Sequence, residues 1–309
     1  MKAKVSIIGA GHVGSTAAHL ILQSGIADVV LYDIAEGAPQ GKALDLTEAM
    51  PLWNVSATCK GTNDYRDTAG SDIVVITAGL PRKPGMSRDN LLLANAEIIR
   101  NVVQDTSRSS RECIFVVVTN PMDVMTNLVW KLSGFECRRI VGMGGVLDSA
   151  RFRTFISMKL GVSPEDVDAI VLGGHGDLMV PLPRFTTVKG VSIVELLDKD
   201  IIDGLIERTR NGGAEIVSLL KTGSAYYAPA ASIYQMVKAI LLDEKRVLPC
   251  AAYLDGQYGI SGIFVGVPVV LGRLGVERII ELNLRVDEKD HFIKSANAVK
   301  ALIETVIGK

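Results

Sequence analysis

Short apolar runs alternate with helical patterns through the first half of the chain. Four runs are rich in β-branched residues and bounded by Gly, Asp, Asn or Pro, which predicts buried strands. They span residues 4–8, 29–32, 73–77 and 114–119. Apolar residues at helical spacing fill the intervals and predict helices at residues 13–22, 40–49 and 89–105. Strands that alternate with helices are typical of an α/β fold, a doubly wound parallel sheet with crossover helices.

The pattern changes after residue 121. Helices are predicted at residues 123–132, 148–160, 201–220 and 224–242, strands at 169–172 and 263–271, and a glycine-rich turn at 142–145. A last helix carries an apolar stripe that predicts docking on the body of the protein, formed by Phe292, Ala296, Val299, Ile303 and Val306. We therefore expect a first domain of residues 1–145 and a C-terminal α+β domain of residues 146–309.

Composition and charge narrow the classes of function. The 309 residues are 48% hydrophobic and 22% charged, with 30 Gly and 11 Pro, which excludes a disordered or collagen-like chain. The formal net charge of -1 gives no global attraction to nucleic acid or to anionic lipid, so neither partner is expected. The four cysteines lie far apart without a C-x-x-C pair, which argues against a zinc ribbon and favours a reduced, cytoplasmic setting.

One uncharged stretch, residues 5–27, is long enough to span a bilayer. Its many Gly, Ser, Thr and His residues make it too polar for a spanning helix. A glycine turn also ends its first apolar run too early for a signal peptide. We expect neither a membrane segment nor a leader here.

The turn inside this stretch, Gly9-Ala10-Gly11-His12-Val13-Gly14, matches G-x-G-x-x-G between a predicted strand and a predicted helix. Such glycines permit a tight turn, close approach of a pyrophosphate and close helix–strand packing. Asp33 follows at the end of the next strand, where an acid binds the adenosine ribose of NAD and repels the 2′-phosphate of NADP. No Arg or Lys occurs in residues 34–36. The motif therefore predicts a Rossmann-type NAD domain; a simple turn with a solvated acid is the alternative.

Three further segments carry candidate chemistry. Asp148 and Arg151 share one helix face, which also suits a plain intrahelical ion pair. His175 lies between glycines after an apolar strand, where it could equally be a structural histidine. Arg82 and Arg88 lie in a loop rich in Pro and Gly, and solvated surface is the usual fate of such a loop.

Together these segments resemble the lactate/malate dehydrogenase family along essentially the whole chain. The glycine turn, residues 77–79 (TAG), residues 120–121 (NP), residues 145–151 (GVLDSAR) and residues 173–177 (GGHGD) occur in that family's order. The resemblance implies that His175 exchanges the substrate proton, that Asp148 orients it and that Arg151 binds the substrate carboxylate. This chemistry needs a positioned base, a carboxylate that fixes its tautomer and a planar two-pronged cation.

The resemblance also predicts the substrate. Lactate-specific relatives carry a neutral residue at the position of Arg82, whereas malate-specific relatives carry Arg. Arg82 and Arg151 would neutralise both ends of a four-carbon dicarboxylate, which implies malate and oxaloacetate as the substrates. Arg88 would then polarise the substrate carbonyl, Asn120 would contact the substrate near the nicotinamide and Ser224 would line the pocket.

The family pattern implies a set of cofactor contacts along the first half of the chain. They are Gly9, Ala10, Gly11, His12, Val13, Gly14, Asp33, Thr77, Ala78, Gly79, Asn95, Val118, Thr119 and Asn120. Members of the family are dimers or tetramers, so a homodimer or homotetramer is expected.

Three other functions stay open at this point. They are a lactate dehydrogenase of the same fold, a non-catalytic protein that senses a dinucleotide, and an NAD-dependent glycosidase. The last would need metal ligands, which the sequence does not offer around His175, and no metal is expected.

Overall fold

The computed structural model describes residues 2–80 and 88–307. Its strands are β1 (Ala3–Ile8), β2 (Ala27–Tyr32), β3 (Cys59–Thr62), β4 (Ile73–Ile76), β5 (Ile114–Val117), β6 (Ile140–Gly142), β7 (Val167–Asp168), β8 (Val171–Leu172), β9 (Val180–Pro181), β10 (Thr187–Val188), β11 (Val191–Ser192), β12 (Arg246–Asp255), β13 (Ser261–Gly272) and β14 (Gly275–Ile279). Its helices are α1 (His12–Gln23), α2 (Ala38–Trp53), α3 (Arg88–Ser109), α4 (Met122–Ser133), α5 (Gly145–Leu160), α6 (Ile193–Leu196), α7 (Lys199–Leu220), α8 (Tyr227–Leu241) and α9 (Val286–Ile307).

Within the described residues, one sheet holds nine strands in the order β14-β13-β12-β6-β5-β4-β1-β2-β3. The six strands from β3 to β6 are parallel, and β12, β13 and β14 extend the sheet in antiparallel pairs. Strands β1 and β4 are neighbours in the sheet. From β1 the strand order runs one way to β2 and β3, and from β4 it runs the other way to β5 and β6. In open sheets of this kind, ligands bind outside the carboxyl ends of the strands at that switch point.

The predicted fold class is confirmed, and the four predicted strands coincide with β1, β2, β4 and β5. The sequence pattern missed β3, whose residues 59–62 contain no apolar run, and β12, whose interior Pro249 argues against a strand. The predicted turn at residues 142–145 was wrong at both ends. Gly142 is the last residue of β6 and Gly145 the first of α5, so the helix starts three residues earlier than expected.

Helices cover the sheet on both faces. On one face α1 and α8 bury Ala17, Ile21 and Ile233, and on the other α3 and α4 bury residues such as Ile99 and Leu128. The apolar stripe of α9 is confirmed as a docked face, since Phe292 and its stripe partners are buried apart from the half-buried Ile303. Continuous apolar strands covered on both faces are what a parallel sheet requires.

The uncharged stretch of residues 5–27 contains most of β1, all of α1 and the first residue of β2. No helix in the described part of the chain is both long enough and apolar enough to cross a membrane. How the chain divides into the domains 1–145 and 146–309 remains a prediction.

Candidate active site

The turn between β1 and α1 depends on glycine at two positions. Gly9 has a φ of +113°, and a Cβ there would lie 2.7 Å from the amide nitrogen of Ala78. A Cβ on Gly14 would lie 1.9 Å from the carbonyl oxygen of Gly9. Any larger residue at position 14 would therefore push α1 away from the end of β1.

Gly11, the N-cap of α1, differs from both. Its φ of -68° suits any residue, and a Cβ there would meet no atom of the described protein within 4 Å. The first turn of α1 contains no acidic side chain. The amides of this turn have no intrahelical acceptor and form the positive end of the helix dipole, which favours an anion. The open space at Gly11 thus fits a pyrophosphate that approaches the backbone.

Asp33, at the end of β2, is tied to this turn. Its Oδ2 accepts a 2.7 Å hydrogen bond from the amide of Ala10, and its Oδ1 accepts one of 3.0 Å from the amide of Ala35. Sequence reasoning missed Lys42 of α2, which donates from Nζ to the carbonyl of Ala10 at 2.5 Å and to Oγ of Ser15 at 3.2 Å. The cation comes from outside residues 34–36, and only the packing of α2 shows that it reaches the turn.

The ends of β4 and β5 brace the same turn. Thr77 donates from Oγ1 to the carbonyl of Gly9 at 3.0 Å, and Thr119 donates from Oγ1 to the carbonyl of Ala78 at 2.7 Å. Asn95 is buried, accepting from the amide of Leu80 at 2.8 Å and donating to the carbonyl of Asn120 at 2.8 Å. Its side chain therefore ties two strand ends together. The cofactor contact predicted for it stays a prediction.

The other predicted contacts around this turn differ in exposure. Val13, Ala78 and Val118 are half-buried, whereas Gly79 is exposed. Asn120 is exposed and joined to Pro121 by a cis peptide bond. The exposed side chain of Asn120 thus lies directly beyond the end of β5.

His12 is exposed at the start of α1, and its ring stacks on Tyr226 with centroids 5.0 Å apart. Tyr226 ends the connection between α7 and α8, which also contains the exposed Ser224. The structure thus brings this connection against the glycine turn. The substrate contact predicted for Ser224 stays a prediction.

His175 and Asp148 meet although they are far apart in sequence. Nδ1 of His175 lies 2.7 Å from Oδ2 of Asp148, and the Asp148 side chain is 2% exposed. A Cβ on Gly144 would lie 3.0 Å from Cβ of His175, so the glycine at the N-cap of α5 gives the histidine room. The pairing fixes which ring nitrogen faces the carboxylate.

Burial lowers the pKa of His175. The charge and hydrogen bond of Asp148, followed by the charge of Asp123, act in the opposite direction and outweigh burial. The net pKa is above the usual value for histidine. The imidazolium form is therefore stabilised in a place where burial alone would destabilise it.

Arg151 lies on the other side of Asp148. Its Nη1 is 3.4 Å from Oδ1 of Asp148, a long single contact, and its buried Nε has no partner in the described structure. Asp148 thus divides its two oxygens between His175 and Arg151. A plain intrahelical ion pair, the alternative for Asp148 and Arg151, does not account for the closer contact with His175.

Three consecutive amides hold the loop that carries His175. The amide of Gly173 donates to the carbonyl of Gly266 in β13 at 2.9 Å, and that of Gly174 donates to Oγ of Ser295 in α9 at 2.9 Å. The amide of His175 donates to Oδ2 of Asp123 in α4 at 2.7 Å. Sequence reasoning missed Ser295 and Asp123, because no local pattern links an acid at a helix start to a loop 52 residues later.

The remaining candidates are the two loop arginines. Arg82 lies outside the described residues. Arg88 is the first residue of α3, and its side chain also lies outside the described part. The roles expected for these arginines remain predictions.

No group of three or more His, Cys, Asp or Glu in residues 2–80 and 88–307 is placed to hold a metal ion. The four cysteines, Cys59, Cys113, Cys137 and Cys250, are free. Burial raises the pKa of Cys113 to about 12. A thiol so disfavoured as a thiolate is a poor nucleophile.

Two family descriptions match the chain almost from end to end. "Lactate/malate dehydrogenase, NAD binding domain" matches residues 3–142, and "lactate/malate dehydrogenase, alpha/beta C-terminal domain" matches residues 145–309. A malate dehydrogenase of Roseiflexus castenholzii is 55% identical over 306 residues, which cover 99% of each chain.

Solved structures agree over the whole chain. The malate dehydrogenase of Picrophilus torridus in its apo form has a TM-score of 0.97 at 46% identity, covering 99% of this chain and 98% of the other. A lactate dehydrogenase of Cryptosporidium parvum, complexed with lactic acid and nicotinamide adenine dinucleotide, has a TM-score of 0.97 at 41% identity, covering 100% and 99%. Because enzymes named for either substrate share the fold, the backbone alone does not choose between them.

Proposed function

The chain belongs to the lactate/malate dehydrogenase family, and we propose that it catalyses the reversible NAD-dependent oxidation of (S)-malate to oxaloacetate, with His175 as general base and acid. The observation that carries the proposal is the 2.7 Å contact between His175 and a buried Asp148 whose other oxygen faces Arg151. A base, the group that orients it and a cation for a carboxylate are thereby collected in one place.

In malate oxidation, His175 accepts the proton of the substrate hydroxyl. Its Nδ1 faces Asp148, so Nε2 is the nitrogen that takes the proton. Asp148 holds the tautomer in which Nδ1 carries hydrogen, and it stabilises the imidazolium that forms. In the reverse direction the protonated His175 donates to the keto oxygen of oxaloacetate, and its raised pKa favours that form.

The residues of the glycine turn fit NAD. The open space at Gly11 and the amides at the start of α1 would hold the pyrophosphate, and Asp33 would receive the adenosine ribose. NAD supplies the acceptor for the hydride when it is bound. Lys42 adds a positive charge beside the turn, which favours a cofactor with two phosphates.

Cations set the choice of substrate. Arg151 would bind one carboxylate through two parallel hydrogen bonds, which its free Nε and its planar fork allow. Arg82 would bind the second carboxylate, and a monocarboxylate would leave that arginine unpaired. Arg88, Asn120 and Ser224 would complete the substrate pocket.

The first test compares oxaloacetate and pyruvate as oxidants of NADH. Wild type should prefer oxaloacetate, and His175→Asn should lose about 10²- to 10⁴-fold in kcat with both the protein fold and NADH binding retained. His291→Asn is the matched control, because His291 is exposed on α9 and should leave kcat unchanged. A wild-type preference for pyruvate would instead assign lactate dehydrogenase activity. A His175→Asn variant as active as wild type would show that His175 is not the general base.

We further propose a cytoplasmic enzyme of the tricarboxylic acid cycle that assembles as a homodimer or homotetramer. Exposed apolar side chains on α2 and α7 support assembly: Leu52 is 83% exposed and Leu219 is 74% exposed. Light scattering on the purified protein measures its mass in solution. A monomer at micromolar concentration would contradict the assembly.

A further inference from the structure

Asp123 is a buried carboxylate that the reaction described above does not use. It is the second residue of α4 and is 5% exposed. Oδ2 accepts the 2.7 Å hydrogen bond from the amide of His175, whereas the buried Oδ1 has no partner in the described structure. A buried charge with so few hydrogen bonds is costly, so its presence calls for a reason.

Anchoring the loop does not require a charge. The neighbouring amide, that of Gly174, is held by the neutral hydroxyl of Ser295 at 2.9 Å. A neutral oxygen at position 123 could accept from His175 in the same way. The charge of Asp123 must therefore be explained by something other than the loop backbone.

The site supplies that explanation, because a positive charge forms on His175 during the reaction. Burial raises the pKa of Asp123 to about 6, while the amide and the charge of His175 act to lower it. Asp123 in turn is one of the groups that raise the pKa of His175. The two groups thus stabilise each other in their charged forms.

Few other charges among the described side chains act on the pair. On α5 they are Asp148, which acts with Asp123 on His175, and Arg151, which opposes both. The α9 side chains nearest to a Cβ built on Gly174 are those of Ser295 and Val299, neither of which titrates. Within residues 2–80 and 88–307, two carboxylates and one arginine are therefore the charges that act most strongly on the imidazole.

We propose that Asp123 is a positioning residue for His175, which ties the histidine backbone to α4 and supplies the second negative charge that stabilises the protonated imidazole. The proposal rests on the proposed function only in giving that protonated form a role in turnover. The structural part, a charge on α4 that acts on the ring of His175, can be measured in the protein without substrate.

The test replaces Asp123 by Asn, which keeps an oxygen acceptor for the amide of His175 and removes the charge. The ring of His175 is titrated by NMR; the chain has four histidines, and the signal missing from His175→Asn identifies it. The pKa of His175 should fall by about one unit in Asp123→Asn. In malate oxidation, which needs the neutral ring, the rise of kcat/KM with pH should move to lower pH by the same amount.

Ser295→Ala is the matched control. It removes the anchor of the adjacent amide without changing any charge, so it should leave the pKa of His175 and the pH profile in place. If Asp123→Asn does not fold, Asp123→Ser keeps a neutral acceptor in a smaller volume and should show the same fall.

An unshifted His175 titration in the neutral variants would overturn the proposal, and so would an equal shift in Ser295→Ala, because the cause would then be loop geometry. A wild type inactive with malate but showing the expected NMR shift would contradict the proposed function and leave the role of Asp123 standing. A wild type active with malate, combined with no NMR shift in Asp123→Asn, would support the proposed function and contradict the role of Asp123.

Discussion

The glycine turn of residues 9–14, here called the cofactor turn, and the loop that carries His175 are built in different ways. The turn consists of six consecutive residues, 9–14, shaped by the absence of side chains at Gly9 and Gly14 and braced by hydrogen bonds between its backbone and neighbouring side chains. The His175 loop is held by side chains or carbonyls from three distant elements, and its chemistry depends on Asp148 from a fourth. In the proposed function, the first region would bind charge with backbone amides, whereas the second would create and stabilise charge with buried side chains.

Replacing Asp148 with Asn tests the second region most severely. The asparagine side chain has no charge with which to stabilise the imidazolium, and its NH₂ group can favour the wrong tautomer of His175. We expect kcat/KM for oxaloacetate to fall by about 10²- to 10⁴-fold while NADH affinity stays within a factor of two or so. Steady-state rates and NADH fluorescence titration measure the two quantities.

The pH profile gives the sign of this effect. Burial lowers the pKa of His175, and Asp148 is the main group that raises it, so the variant should have a lower pKa. Oxaloacetate reduction needs the protonated ring. Its residual rate should therefore decline at a lower pH than in wild type. An unshifted decline, or a tenfold loss of NADH affinity, would show that the two regions are not independent.

The same contrast explains what could be predicted from the sequence. The cofactor turn could be found because its determinants are adjacent, and the resemblance to a family supplied the pairing of His175 with Asp148. Asp123 and Lys42 were missed because each acts on a residue far away in the chain, and no period or motif records such a contact. Strand β12 was missed for a related reason: Pro249 contradicts a local strand pattern, while pairing with β13 overrides it.

Two glycine variants separate packing from ligand approach in the first region. Gly14→Ala places a Cβ against the carbonyl of Gly9, and we expect it to lower the free energy of unfolding by roughly 2–4 kcal/mol. Gly11→Ala meets nothing in the protein, so its unfolding free energy should change by about 1 kcal/mol or less. NADH should nevertheless bind it about tenfold more weakly, because the new Cβ occupies the approach of the pyrophosphate.

Urea unfolding and NADH titration of both variants provide the measurement. If Gly11→Ala bound NADH as wild type does, the open space at that position would not be the pyrophosphate approach. Equal destabilisation by both substitutions would show that Gly11 is required for packing.

A glycine of helix α7 also has a structural role near Arg151, in the second region. Gly212 lies where α7 packs against α5, and a Cβ there would be 3.1 Å from Cδ of Arg151 and 3.6 Å from its Nε. Gly204 lies on the same helix, is exposed and has open space around it. Glycine inside a helix costs about 1 kcal/mol relative to alanine, so Gly212 is retained against a local preference.

Gly204→Ala should therefore raise the free energy of unfolding by about 0.5–1 kcal/mol and leave the KM for oxaloacetate unchanged. Gly212→Ala should gain less stability, and it should raise that KM several-fold because the guanidinium of Arg151 must shift by a few tenths of an ångström. The ratio of the two KM values, measured at saturating NADH, isolates the effect of the contact from that of the helix. Identical KM values would mean that Arg151 adjusts freely and that the substrate end, unlike the cofactor turn, does not depend on a missing Cβ.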